Sequence, residues 1–115
     1  MSPLKIAVIG GSLGGVSAAC LLRDAGHEVD VYERSPIELE QRGAGIGFLK
    51  ASYRYLVDRA GIDLDTISIS TSDIIYLGRN DEIVHQSHHP YRFSSWNTVY
   101  QRLMESFGHD RYHLN

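Results

Sequence analysis

One cysteine in 115 residues excludes an intrachain disulfide and suits a reducing compartment. Cys20 lies in a stretch with helical spacing, where a small core residue is expected rather than a nucleophile. No apolar run approaches the roughly twenty residues that a membrane-crossing helix requires. Charge of one sign is missing too: 11 Lys and Arg stand against 14 Asp and Glu, for a net charge of −3. That balance supplies no electrostatic reason to expect nucleic acid or a membrane surface as partner. Residues 1–5 lack the layout of a secretory leader, because the apolar run after them passes straight into glycines. The expected location is the cytoplasm. With 3 prolines and 43% hydrophobic residues, the chain can build regular elements around one core, as one small domain.

Glycine is what the sequence concentrates. "IAVIGGSLGG" is an apolar run that breaks into a loop holding Gly10, Gly11, Gly14 and Gly15. Residues 5–9 read as a strand apolar on both faces, suited to a parallel sheet. Residues 16–25 read as a helix with Val16, Ala19 and Cys20 on one side, stopped by Gly26. Residues 28–32 alternate and read as a second strand, completing a βαβ unit. Residues 35–41 read as a loop or short helix, and 42–48 as a second glycine-rich loop. A helix is expected over 50–60. Two strands, 72–77 and 82–86, flank the hairpin signal Gly78-Arg79-Asn80-Asp81. His88-His89-Pro90 reads as a connector, 96–107 as a helix capped by Ser95 or Asn97, and 112–114 as the start of another strand. The expected fold class is therefore α/β: a Rossmann-like βαβ unit of an incomplete doubly wound domain, with a β-hairpin and additional helices.

A strand that ends in glycines, followed by a helix, is how a backbone approaches a pyrophosphate. The strict pattern is G-x-G-x-x-G, and here its three positions are Gly10, Ser12 and Gly15. Gly10 permits the tight turn, and Gly15 permits close packing of helix on strand. Ser12 replaces the middle glycine; it is small and could donate its hydroxyl to a phosphate oxygen. Gly11, Leu13 and Gly14 complete the loop, and the helix behind it offers free N–H groups and a partial positive charge. Glu33 stands eighteen residues after Gly15, at the end of the second strand. An acid there accepts hydrogen bonds from ribose hydroxyls and repels a 2′-phosphate. These residues indicate an adenine dinucleotide without separating NAD from FAD.

The segments "DVYERSP" and "QRGAGIGF" resemble the flavin-dependent aromatic-ring monooxygenases of the para-hydroxybenzoate hydroxylase type. The pair Glu33-Arg34 and the loop Arg42-Gly43-Ala44-Gly45-Ile46 match that family's motifs. "GGSLGG" and "SSWNTVYQRL" look most like its hydroxypyridine hydroxylase branch. The resemblance covers essentially the whole chain and implies FAD as cofactor, with NAD(P)H as co-substrate. It further implies that Glu33 binds the adenosine ribose and that Arg34 lies beside the adenine or ribose. Arg42 and the backbone of Gly43, Ala44, Gly45 and Ile46 would run along the pyrophosphate and flavin. The family's phosphate-contacting arginine, early in the helix after the hairpin, falls on Gln101 or Arg102.

The family's later Asp-Gly and Gly-Asp motifs do not occur, so residues 1–115 are expected to be the N-terminal part of an FAD/NAD(P)-binding domain. An aromatic substrate is expected only for a complete enzyme, and the chain alone is expected to be inactive. No catalytic residue is assigned, and no metal site: His85, His88 and His89 read as polar connector residues. The apolar side chains of Ile6, Val8, Val29 and Val31 are expected to be partly uncovered, favouring self-association or pairing with the rest of the fold. Two other readings stand beside this one: an NAD-linked dehydrogenase segment, and a non-catalytic nucleotide-binding remnant.

Overall fold

A computed structural model describes residues 2–41 and 43–115. The chain order is β1 (Lys5–Ile9), α1 (Leu13–Asp24), β2 (Glu28–Glu33), β3 (Gly45–Phe48), α2 (Lys50–Asp58), a 3₁₀ turn (Leu64–Thr66), β4 (Ile69–Leu77), β5 (Ile83–Ser95), α3 (Trp96–Phe107) and β6 (Tyr112–Leu114). Two three-stranded sheets result. One has the order β1-β2-β6 with every pair parallel, and the other has β3-β5-β4 with every pair antiparallel. The βαβ unit and the mixed α/β architecture therefore stand as the sequence predicts.

The core forms where α1 and α3 cover one face of the parallel sheet. Val16, Ala19 and Cys20 of α1 meet Val29 and Val31 of β2 and Val99, Leu103 and Met104 of α3, all buried. Arg23, at the end of α1, donates to the carbonyls of Ser106 (2.7 Å) and Phe107 (3.0 Å). It thereby satisfies the free carbonyl end of α3 and locks the two helices together. At its other end α3 is capped by Ser95, whose Oγ accepts the Thr98 N–H at 3.0 Å. Asn97, the alternative cap, instead accepts the Gln41 N–H at 2.8 Å.

Four expectations are corrected. Helix α1 begins at Leu13, so Leu13, Gly14 and Gly15 are its first turn rather than loop. The second glycine-rich segment is a loop only at its start. Gly45–Phe48 is strand β3, because its backbone pairs with residues 92–95 of β5. His88-His89-Pro90 lies inside β5, which runs on to Ser95. The ladder shifts register between Thr71 and Asp73, opposite this stretch, so a residue lacking an N–H is tolerated there. Lastly, Val29 and Val31 are fully covered and Ile6 and Val8 half-buried. The open side of the parallel sheet is the opposite one, where Ile9 is 82% and Tyr32 46% exposed.

Candidate dinucleotide site

The carboxyl ends of β1 and β2 lie side by side, with Ile9 opposite Tyr32. Chain reversal at Gly10 occurs at φ +104°, a conformation that needs glycine, and its N–H donates to the Tyr32 carbonyl at 2.8 Å. At Gly15 the constraint is contact: an added Cβ would overlap the carbonyl oxygen of Gly10. Strand and helix are therefore as close as backbones allow. Gly10 and Gly14, by contrast, have nothing within 4 Å of an added Cβ, so the loop surface is open.

Ser12 begins α1 in extended conformation, and no side chain caps the helix. No acidic residue occupies its first turn. Among the described residues the N–H groups there have no side-chain acceptor, which leaves the positive end of the helix available to an anion. These features fit a pyrophosphate.

Glu33 closes on the same loop from β2. Its Oε2 accepts the Gly11 N–H at 2.8 Å, and its Oε1 accepts the Ser35 N–H at 2.9 Å. The glutamate is half-buried and ties the loop to the segment after β2, a structural role that its spacing from Gly15 does not reveal.

The remaining expected residues are spread more widely. Arg34 follows β2 and is exposed. Arg42 lies outside the described residues. Gly43 adopts φ +82° above the Trp96 side chain, where a Cβ would not fit, and the Ala44 carbonyl accepts the Trp96 N–H at 2.9 Å. Ala44 and Gly45 are exposed, and Ile46 is half-buried. Gln101 is exposed on α3 beside Glu38 and Glu40. Arg102 pairs with Glu105 at 2.9 Å. The fold thus joins the glycine loop with Glu33, and joins residues 43–46 to the start of α3. Arg102 finds its partner, Glu105, within α3 itself.

Four further residues shape the site without a signal in the spacing. Trp96 stacks on Tyr100, with ring centroids 4.9 Å apart. Asn97 holds Gln41. Tyr100 and Tyr112 hydrogen-bond to one another at 3.1 Å, and Tyr112 donates to the Gly11 carbonyl at 2.8 Å. Burial, reinforced by Tyr100, pushes the Tyr112 phenol far above its ordinary range and keeps it protonated. Beyond the loop, a largely apolar cleft of about 410 Å³ opens between α1, α2, β3 and α3, with Leu13, Ile46, Phe48 and Leu56 among its walls.

A family model described as an NAD(P)-binding Rossmann-like domain matches residues 8–37, the βαβ unit. The 2,6-dihydroxypyridine 3-monooxygenase of Paenarthrobacter nicotinovorans is 44% identical over 118 residues, covering 100% of this chain and 30% of that protein. The solved 2,6-dihydroxypyridine-3-hydroxylase from Arthrobacter nicotinovorans superposes with a TM-score of 0.88 at 41% identity, over 99% of this chain and 29% of that one. Klebsiella pneumoniae HpxO, solved with FAD and uric acid, shares the fold at TM-score 0.74 and 21% identity, over 96% of this chain and 30% of its own. The chain spans about 30% of the length of the curated relative it matches. Over that span it is similar to the hydroxypyridine monooxygenases.

Proposed function

We propose that residues 1–115 form the N-terminal part of an FAD/NAD(P)-binding domain that holds FAD by its ADP half. The Glu33 carboxylate beside the open glycine loop, 2.8 Å from the Gly11 N–H, carries this reading. In it, the uncapped start of α1 and the N–H groups of Leu13 and Gly14 receive the pyrophosphate, with the Ser12 hydroxyl as a further donor. Glu33 accepts the adenosine ribose hydroxyls and repels a 2′-phosphate. Arg34 flanks the adenine or ribose, and Gly43, Ala44, Gly45 and Ile46, with Arg42, line the path toward the flavin. Gln101 or Arg102 supplies a phosphate contact; Arg102 would first leave Glu105.

Bound FAD would supply the redox chemistry by which NAD(P)H and O₂ hydroxylate an aromatic or N-heteroaromatic ring. We assign that reaction to a longer protein of the relatives' length. This chain's part is to bind and orient the nucleotide, and alone it is inactive. The open sheet face, the apolar cleft and the hairpin are covered there by the rest of the fold, or here by another copy.

Titration of the purified chain with FAD, followed by flavin fluorescence, tests the reading. Glu33→Gln should weaken binding by about 1.5–3 kcal/mol, roughly 10- to 150-fold, the usual loss for charge-assisted hydrogen bonds. Because Glu33 also anchors two backbone N–H groups, the variant should lose some stability as well. FAD affinity equal to that of the unmutated chain would overturn the ribose assignment.

A further inference from the structure

The glycine loop is held from a direction that the dinucleotide pattern does not include. The Leu39 N–H donates to the Tyr100 hydroxyl at 3.3 Å. Tyr100 donates to the Tyr112 hydroxyl at 3.1 Å, and Tyr112 donates to the Gly11 carbonyl at 2.8 Å. This relay is buried, with Tyr100 1% and Tyr112 8% exposed. It joins the segment after β2, helix α3, strand β6 and the loop, across 101 residues of sequence between Gly11 and Tyr112. Fit is as tight as bonding: a Cβ on Gly11 would run into the Tyr112 hydroxyl and ring. On its other side, Gly11 donates its N–H to Glu33. The two peptide units flanking Gly11 are therefore each fixed by one side chain, Glu33 on the Gly10–Gly11 peptide and Tyr112 on the Gly11–Ser12 peptide.

We propose that Tyr112 is a positioning residue for nucleotide binding: its hydroxyl, through its own bond to the Gly11 carbonyl, sets the plane of the Gly11–Ser12 peptide, and through Gly11 the directions of the Glu33 carboxylate and the first N–H groups of α1. This rests on the ADP-half reading above. The Gly11–Ser12 peptide leads directly into the helix start, so its rotation would turn the N–H groups that meet the pyrophosphate. A buried carbonyl without its donor has reason to rotate toward water. Tyr112 stays protonated, and so remains a donor, throughout the neutral range.

Tyr112→Phe keeps the ring and removes only the hydroxyl. Tyr100→Phe removes the outer part of the relay and leaves the Tyr112–Gly11 bond in place. Each variant loses two buried hydrogen bonds, Tyr112→Phe those to Gly11 and Tyr100 and Tyr100→Phe those to Leu39 and Tyr112, and the two should lose similar stability, so stability alone does not separate them. Hydrogen–deuterium exchange of segment 10–15 in the unliganded chain, and ADP-ribose affinity by calorimetry, do. In Tyr112→Phe, exchange of that segment should quicken at least tenfold and affinity should fall at least tenfold. In Tyr100→Phe, both should stay within threefold of the unmutated chain. Equal losses in the two variants, tracking their stability, would reduce Tyr112 to a packing residue and overturn the proposal. So would unchanged exchange and affinity in Tyr112→Phe. Failure of the unmutated chain to bind ADP-ribose would instead sink the ADP-half reading, and Tyr112's role in binding with it; the exchange data would still report whether it anchors the loop.

Discussion

Gly14 and Gly15 are neighbours in the first turn of α1, yet the structure predicts opposite responses to one methyl group. Alanine is favoured over glycine inside a helix by about 0.5–1 kcal/mol. At Gly14 an added Cβ meets nothing within 4 Å, so Gly14→Ala should be stabilising by about that amount. At Gly15 the same Cβ would overlap the Gly10 carbonyl oxygen, a backbone atom that cannot swing aside as a side chain would. Strand and helix must separate, at an overpacking cost of about 1–3 kcal/mol, only partly offset by the helix preference. The helix preference is common to both variants, which should therefore differ by the overpacking cost, about 1–3 kcal/mol. Urea unfolding followed by far-ultraviolet circular dichroism reads the difference. With a slope of about 1–2 kcal/mol per molar urea for a domain of this size, the midpoints should lie about 0.5 M or more apart. A Gly15→Ala chain as stable as Gly14→Ala would refute the close helix–strand packing on which the loop geometry depends.

Two further outcomes follow from the packing. With Ile9 82%, Ile69 75% and Val84 62% exposed, and with β1 and β6 at the sheet's edges, the isolated chain should associate. Light scattering should return more than the monomer mass, and a monomer at about 50 µM would contradict this. Burial raises the pKa of both Cys20 and Tyr112. Acids whose folded pKa is raised stabilise fully below their unfolded values, here 9.0 and 10.0, and lose that contribution as pH climbs past them. The melting temperature should fall above about pH 9, and more gently in Tyr112→Phe, since phenylalanine has no phenol to ionise.

Local pattern made half of this fold legible. The strands β1 and β2, the helix between them and α3 announce themselves through apolar spacing, a glycine stop and a serine cap, all within a few residues of one another. Strand β3 does not, because Gly45 and Gly47 offer no side-chain pattern, and its partner, residues 92–95, is nearly fifty positions away. The long β5 was obscured by His88, His89 and Pro90, which read as a break and instead sit at a register shift. Within the site, Gly10 and Gly15 were readable because turn and contact each demand glycine at a set distance, and the bonds of Glu33 to the Gly11 and Ser35 N–H groups were not. Tyr112 was not. Its role depends on β6 folding back parallel to β2, with Val31 opposite Tyr112, and no spacing rule encodes that pairing.

The proposed site for an ADP moiety with a free ribose 2′-hydroxyl is built from the glycine loop and Glu33. Calorimetric titration of the unmutated chain with ADP-ribose and with its 2′-phosphorylated counterpart tests it most directly. Saturable binding of ADP-ribose is expected, with the 2′-phosphate form at least about tenfold weaker, because the Glu33 carboxylate opposes the added charge. Equal affinity for the two, or binding of neither, would contradict it.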